Sequence, residues 1–269
     1  MNASIRPCEP RTRIFAFEGA CNFRDVGGYH TDDGRTVRWG RVFRTGVLSY
    51  FTPADREALL QLRVRAICDL RRAEERAREP TRWPDQATPI LLWEDGERAP
   101  KIRALMANRP STAAGMFDAM IELYRVLPAW LAPRIGGMFE SLARGATPLV
   151  VHCAAGKDRT GVAIGVLLSA LGVPQETVME DYLLTNQAGD FERFIRAHHD
   201  SELGLTDVHH PLLAMPQDMR QVLFSAHEDF LAAAFERIAA TPGGLAGYLQ
   251  DVAGVSAATL ERVRAQLTE

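Results

Sequence analysis

A short β-branched apolar run, Pro148 to Val151, passes through one histidine and one cysteine into a turn, and an apolar run long enough for a buried helix follows from Val162 to Leu171. Only the stretch His152 to Gly161 separates the two. A strand that must reach a helix so quickly delivers its loop to that helix's amino end. Cys153, Ala154, Ala155, Gly156, Lys157 and Asp158 can then turn successive backbone N–H groups toward one centre, with Gly156 free to adopt a positive φ. Such a nest prefers a dianion to water. Arg159 follows, and its planar fork of donors can hold two phosphoryl oxygens at once, as an ammonium cannot. Helix N-termini and neighbouring cations also favour thiolate over thiol. Cys153 is therefore expected to act as a nucleophile, with Thr160 steadying the thiolate through its hydroxyl and His152 adding a hydrogen bond.

Competing readings of the turn fail on spacing or on environment. A nucleotide-binding P-loop needs a glycine five residues before its Gly-Lys pair, where this chain has Val151, and a Ser or Thr after the lysine, where it has Asp158. A rhodanese-type sulfurtransferase also cradles a cysteine with backbone amides, but it has no requirement for arginine and then threonine to close the loop. A buried inert cysteine is a poor fit to a cationic, glycine-containing turn.

His-Cys, five residues, then Arg-Thr resembles the signature of the cysteine-dependent phosphatases. The variant Ala-Gly-Lys-Asp-Arg-Thr-Gly resembles more narrowly the bacterial tyrosine and phosphoinositide phosphatases. Asn22-Phe23-Arg24-Asp25-Val26-Gly27-Gly28-Tyr29, Gly40-Arg41-Val42-Phe43-Arg44-Thr45, Cys68-Asp69-Leu70-Arg71 with Glu74, and Asp181-Tyr182-Leu183-Leu184 look like further landmarks of that family, in its order. The resemblance spans residues 18 to 265. It implies a phosphatase that passes through a phosphocysteine and acts on phosphorylated protein or on phosphoinositides, without metal or cofactor. A phosphate-binding module that has lost turnover is the reading from another class, and intact Cys153, Asp158 and Arg159 favour the enzyme.

Expulsion of an alkoxide or phenoxide needs a proton, and hydrolysis of a phosphocysteine needs a base, so one carboxyl group must serve twice. Asp158 is the first candidate, because it lies in the loop and the resemblance implies an aspartate there. Trp83-Pro84-Asp85 is a rival, since such a triplet carries the acid in animal tyrosine phosphatases, but it falls in a connection between two expected strands. Asp69, at the end of the strand Val64 to Leu70, is a third candidate, although holding Arg71 or Arg159 suits it better. The loop backbone from Ala154 to Lys157 is expected to bind the substrate phosphate with Arg159. Lys157 adds a second charge, which the resemblance links to highly charged substrates such as phosphoinositides, with a solvated loop lysine as the equal alternative. Cys68 reads as a small buried apolar residue before it reads as a redox partner for Cys153.

The chain has 269 residues, 46% hydrophobic and 24% charged, with a formal net charge of −3. That near-neutral balance gives no support to nucleic-acid binding. No 18-residue apolar run marks a membrane span. Met1 to Arg13 lacks the apolar centre of a secretory signal, so the cytoplasm is the default location, with signal-independent export still open. Adjacent histidines, His198-His199 and His209-His210, point in different directions and make a weak metal site.

Expected strands are Val37 to Phe43, Val64 to Leu70, Ile90 to Trp93 and Leu149 to Val151. Expected helices run from Pro53 to Leu62, from Ala113 to Leu142 with breaks at Pro128 and Pro133, and over Pro174–Thr185, Ala188–His199, Pro216–Ile238, Leu245–Val252 and Ser256–Leu267. This alternation gives an α/β fold, a mostly parallel central sheet flanked by helices, with a helix-rich C-terminal part. One phosphatase domain is expected over 1–269, with an N-terminal extension at 1–17. The mixed apolar and charged segment 188–215 is expected to form a helical lid over the phosphate site, as the resemblance also implies, with an ordinary packed helical hairpin as the alternative.

Overall fold

The structure, a computed structural model, describes residues 12–95, 101–203 and 212–269, without the side chains of 199–203. Five strands form one sheet: β1 (Arg24–Asp25), β2 (Val42–Thr45), β3 (Ala66–Asp69), β4 (Ile90–Leu91) and β5 (Leu149–His152), in the order β1-β2-β5-β3-β4. Only β1 is antiparallel to its neighbour. The last strand in sequence thus lies in the centre, between β2 and β3. A crevice at the carboxyl ends of parallel strands is where α/β folds bind ligands, and β5 delivers Cys153 there.

Strand alternation divides the core in two. Val42, Ala66, Cys68, Leu149 and Val151 face the larger cluster, and Phe43, Ile67 and Val150 face the smaller one. The small face is covered by α1 (Pro53–Gln61), by Trp83, and by an aromatic cluster in which Phe15 and Phe17 meet Phe23 at ring distances of 5.5 and 4.9 Å. Arg13 stacks between Tyr29 and Trp39 at 4.0 and 4.6 Å. Residues 13–17, expected to belong to an extension, pack against the sheet and its flanking loops through these contacts. Helix α1 begins at a reciprocal cap, in which Thr52 Oγ1 accepts from Asp55 N–H while the Asp55 carboxylate accepts from Thr52 N–H.

The connection from β3 to β5 contains α2 (Ala73–Arg78), β4, α3 (Ile102–Met106) and α4 (Ala113–Ala143). Helix α4 continues through Pro128 and Pro133, where breaks were expected. Each interior proline costs about 3 kcal/mol or more. Burial of Leu123, Leu127, Leu131, Ile135, Met138, Phe139 and Leu142 on one helix, at roughly 1.5–3 kcal/mol per side chain, outweighs that.

After β5 come α5 (Asp158–Ala170), α6 (Gln175–Leu183), α7 (Thr185–Ala188), α8 (Phe191–Leu203), α9 (Gln217–Phe224), α10 (Glu228–Ala239), α11 (Gly244–Gly247) with a wide turn over Tyr248–Val252, and α12 (Ala257–Leu267). The expected single helix 216–238 is two. Ser225 and His227 are extended, and the His227 ring accepts from Asp229 N–H to start α10. Residues 204–211 of the expected lid lie outside the described residues, as do His209, His210 and the His199 side chain. Within the described part of that segment, α8 rests on Tyr50 through Phe194 and His198, at ring distances of 5.9 and 4.7 Å.

Candidate active site

Cys153 follows the central strand directly and is buried. The loop turns beneath the ends of β2, and Gly156 makes that possible: its φ is +66°, and a Cβ there would lie 2.4 Å from the Thr45 carbonyl carbon. Its carbonyl points away from the loop centre, accepting from Asn22 Nδ2 and from Arg44 Nη2, both at 2.9 Å. The Ala154 carbonyl likewise turns out to Val47 N–H at 2.8 Å. With those carbonyls tied outward, the N–H groups of Ala154 through Lys157 meet no acceptor among the described residues. Free amides at the amino end of a helix are what an anion nest requires.

Arg159 stands in the first turn of α5, and Glu75 on α2 grips it through two parallel bonds of 2.7 and 2.8 Å. Burial works against both charges. The pair overcomes it, so the Glu75 carboxyl is held down at about 2 and the Arg159 guanidinium is raised above its ordinary value by Glu75 and the Cys153 sulfur. The fork is thereby fixed in plane. Glu74, the expected landmark of this stretch, is turned to Lys101 and Arg72 instead. Two adjacent glutamates at a helix start cannot be told apart from sequence.

Below the strand ends, Asp69 is spent on structure. Arg71 donates to both its oxygens, at 2.9 and 2.8 Å, and His152 Nε2 lies 3.4 Å away. Burial opposes the Asp69 charge, but His152 and Arg71 hold its carboxyl well below the usual range. The other His152 nitrogen meets the carbonyl of Cys153 at 3.3 Å. Asp69, Arg71 and His152 thus brace the strand end from which the loop departs. Cys68 is fully buried on the same sheet face as Cys153, and burial pushes its thiol upward. The Thr160 hydroxyl is buried and makes no hydrogen bond among the described residues.

Lys157 does not bring its ammonium to the loop centre. The side chain is buried, with Nζ donating to the Leu223 and Ser225 carbonyls at 2.5 and 3.0 Å, where α9 ends. The second charge expected to face substrate caps a helix C-terminus instead. Asp85 is placed apart as well. It accepts from Ala87 N–H at 3.0 Å and Thr88 Oγ1 at 3.3 Å, shaping the turn that leads to the amino end of β4, whereas Cys153 lies at the carboxyl end of the parallel β5. Trp83 of the same triplet is a core residue, stacked edge-on to Phe51. Asp158 opens α5 beside Arg159, its carboxylate partly exposed.

Sequence left the roles of four landmark residues unassigned: Asn22, Arg24, Arg44 and Asp181. They form one buried network under the loop. The Asp181 carboxylate bonds Arg44 Nη1 at 2.6 Å, Arg24 Nε at 3.5 Å and Tyr29 Oη at 3.0 Å, and Arg24 in turn donates to Asn22 Oδ1. Asn22 takes the left-handed φ of 65° to aim its amide at Gly156.

A central-strand cysteine, a nest of free amides and a fixed guanidinium define the phosphate-handling α/β proteins. Among these, the sequence profile of the tyrosine phosphatase family matches residues 15–269, and the chain belongs to that family. It is a phosphatase. The triple specificity protein phosphatase PtpB of Mycobacterium tuberculosis is 32% identical over 93% of this chain and 97% of its own length. A Cupriavidus necator protein that bears a tyrosine-protein phosphatase name is 33% identical over 91% of this chain and 86% of its own. A tyrosine-protein phosphatase of Nostoc commune is 29% identical over 83% and 73%. No described helix is long and apolar enough to cross a membrane.

Proposed function

We propose that the protein hydrolyses phosphotyrosine, and secondarily phosphoserine and phosphothreonine, through a phosphocysteine on Cys153. The observation that carries this reading is the nest of unpaired amides around Cys153 with the Arg159 fork locked by Glu75. Cys153 Sγ attacks phosphorus in line while Arg159 and the amides stabilise the equatorial oxygens. Asp158 gives a proton to the departing oxygen and then takes one from the attacking water. The test is rapid denaturation in alkaline detergent of a reaction with ³²P-labelled phosphotyrosyl peptide, alongside vanadate inhibition of p-nitrophenyl phosphate turnover. Alkali-stable, acid-labile phosphate on a Cys153 peptide is expected. Turnover without labelled enzyme, or indifference to vanadate, would refute the mechanism.

Phosphoinositides are the more distant substrates in this reading, because the Lys157 ammonium is held on Leu223 and Ser225. Lys157→Met should leave two carbonyls without their donor and cost roughly 1–3 kcal/mol of stability. Turnover of phosphotyrosyl peptide and of a soluble phosphoinositide should fall in the same proportion. A tenfold change in their ratio would place Lys157 on the substrate after all.

A further inference from the structure

Asp158 has one oxygen held and one left open. Oδ1 accepts from Tyr124 Oη at 2.8 Å and lies 3.3 Å from Lys157 Nζ, while Oδ2 meets no hydrogen-bond or ion-pair partner among the described residues. Tyr124 projects from the middle of α4 and is fully buried, and its hydroxyl lies 2.7 Å from that of Tyr182 on α6. Burial pushes the Tyr182 phenol up, and the backbone of His227, just before α10, works against that rise. Gly161 makes room for this chain, since a Cβ there would come within 2.8 Å of the Tyr182 ring.

The carboxylate end of the chain sets its direction. A carboxylate only accepts, so Tyr124 must spend its single proton on Asp158 and accept from Tyr182. Helices α4 and α6 thus feed one hydrogen-bonded chain into one carboxylate oxygen, more than packing of a core tyrosine requires. Two phenols are costly to bury unless both hydroxyls are satisfied, and here each is.

We propose that Tyr124, backed by Tyr182, is the positioning residue of the proton-transfer carboxylate: it fixes Asp158 Oδ1 so that Oδ2 faces the scissile ester oxygen. This rests on the assignment of Asp158 made above. In the first step Sγ–P forms, P–O breaks and the Oδ2 proton moves to the leaving oxygen. In the second, water oxygen attacks phosphorus, its proton returns to Oδ2, and Sγ–P breaks to release the thiolate. Tyr124 keeps its own proton throughout, and its role is orientation.

The closing experiment measures kcat/KM for p-nitrophenyl, phenyl and alkyl phosphates with wild type, Asp158→Asn, Tyr124→Phe and Tyr182→Phe. A poor leaving group needs the proton most. Tyr124→Phe is expected to lose about threefold on the p-nitrophenyl ester and about thirtyfold on the alkyl ester, steepening the dependence on leaving-group basicity toward that of Asp158→Asn. Tyr182→Phe should steepen it less, and it carries the test if Tyr124→Phe does not fold. If Asp158→Asn shows the wild-type slope, the acid lies elsewhere and the underlying reading fails. If Asp158→Asn steepens the slope while both tyrosine variants fall parallel to wild type, the tyrosines are structural only and the positioning role is wrong.

Discussion

Replacing Cys153 with serine is expected to reduce p-nitrophenyl phosphate turnover by about 10⁵-fold or more, the scale on which loss of a nucleophile is felt. A serine hydroxyl in this nest has no base aimed at it: His152 is engaged by Asp69 and by the Cys153 carbonyl, and Asp158 Oδ1 belongs to Tyr124. The substitution leaves the rest of the site in place. Gly156 still passes under Thr45, Asn22 and Arg44 still hold its carbonyl, and Glu75 still holds Arg159. Calorimetric titration with a phosphotyrosyl peptide should therefore show binding within a few-fold of a vanadate-competitive ligand's affinity for wild type, with no product released. Residual turnover within a hundredfold of wild type would mean that Cys153 is not the attacking atom. Loss of binding together with turnover would mean instead that the serine disturbs the loop.

The loop was legible because its information is local: β-branched run, cysteine, glycine and apolar helix follow one another within a single turn of chain. Asp69 and Arg71 were legible as a pair for the same reason, being two residues apart at a strand end. What sequence could not supply is tertiary. Tyr124 sits in an apolar helical pattern and reads as core, which it is, and only the approach of α5 reveals what its hydroxyl meets. Glu75 was hidden beside Glu74 because helix phase at a cap decides which of them turns inward. Pro128 and Pro133 read as breaks because local propensity knows nothing of the five helices that pack on α4, namely α3, α5, α9, α10 and α12. The break at Ser225–His227 was missed for the converse reason. Apolar periodicity continues across it, and the extended residues there are fixed by Asn186, which pairs with both the N–H and the C=O of Ala226.

Asp181→Asn should destabilise the fold by about 3–5 kcal/mol, because it leaves two buried guanidiniums facing each other without a counter-charge. Arg24 and Arg44 are both fully buried. Burial and the neighbouring Arg44 already pull Arg24 down to about 9, so it remains charged at neutral pH. Burial opposes the Asp181 charge too, yet Arg24 and Arg44 hold its carboxyl below the ordinary aspartate range. A carboxyl depressed in the folded state stabilises above its unfolded value, near pH 4, and that contribution is lost as pH falls through the folded value. The sign follows: the melting temperatures of wild type and Asp181→Asn should differ by roughly 10 °C at neutral pH, and the gap should close only in strong acid. Asp69 and Glu75 also lose stabilising charge in acid, but they are common to both proteins and cancel in the difference. Activity should fall further than stability alone explains, since Arg44 bonds Asp181 and the Gly156 carbonyl at once, and an Arg44 that swings free releases the loop. Thermal melts followed by circular dichroism from neutral to acid pH check the first part. A gap that stays constant down to about pH 2 would show that the loss comes from shape and not from charge, and turnover unchanged in the variant at low temperature would show that the network does not hold the loop.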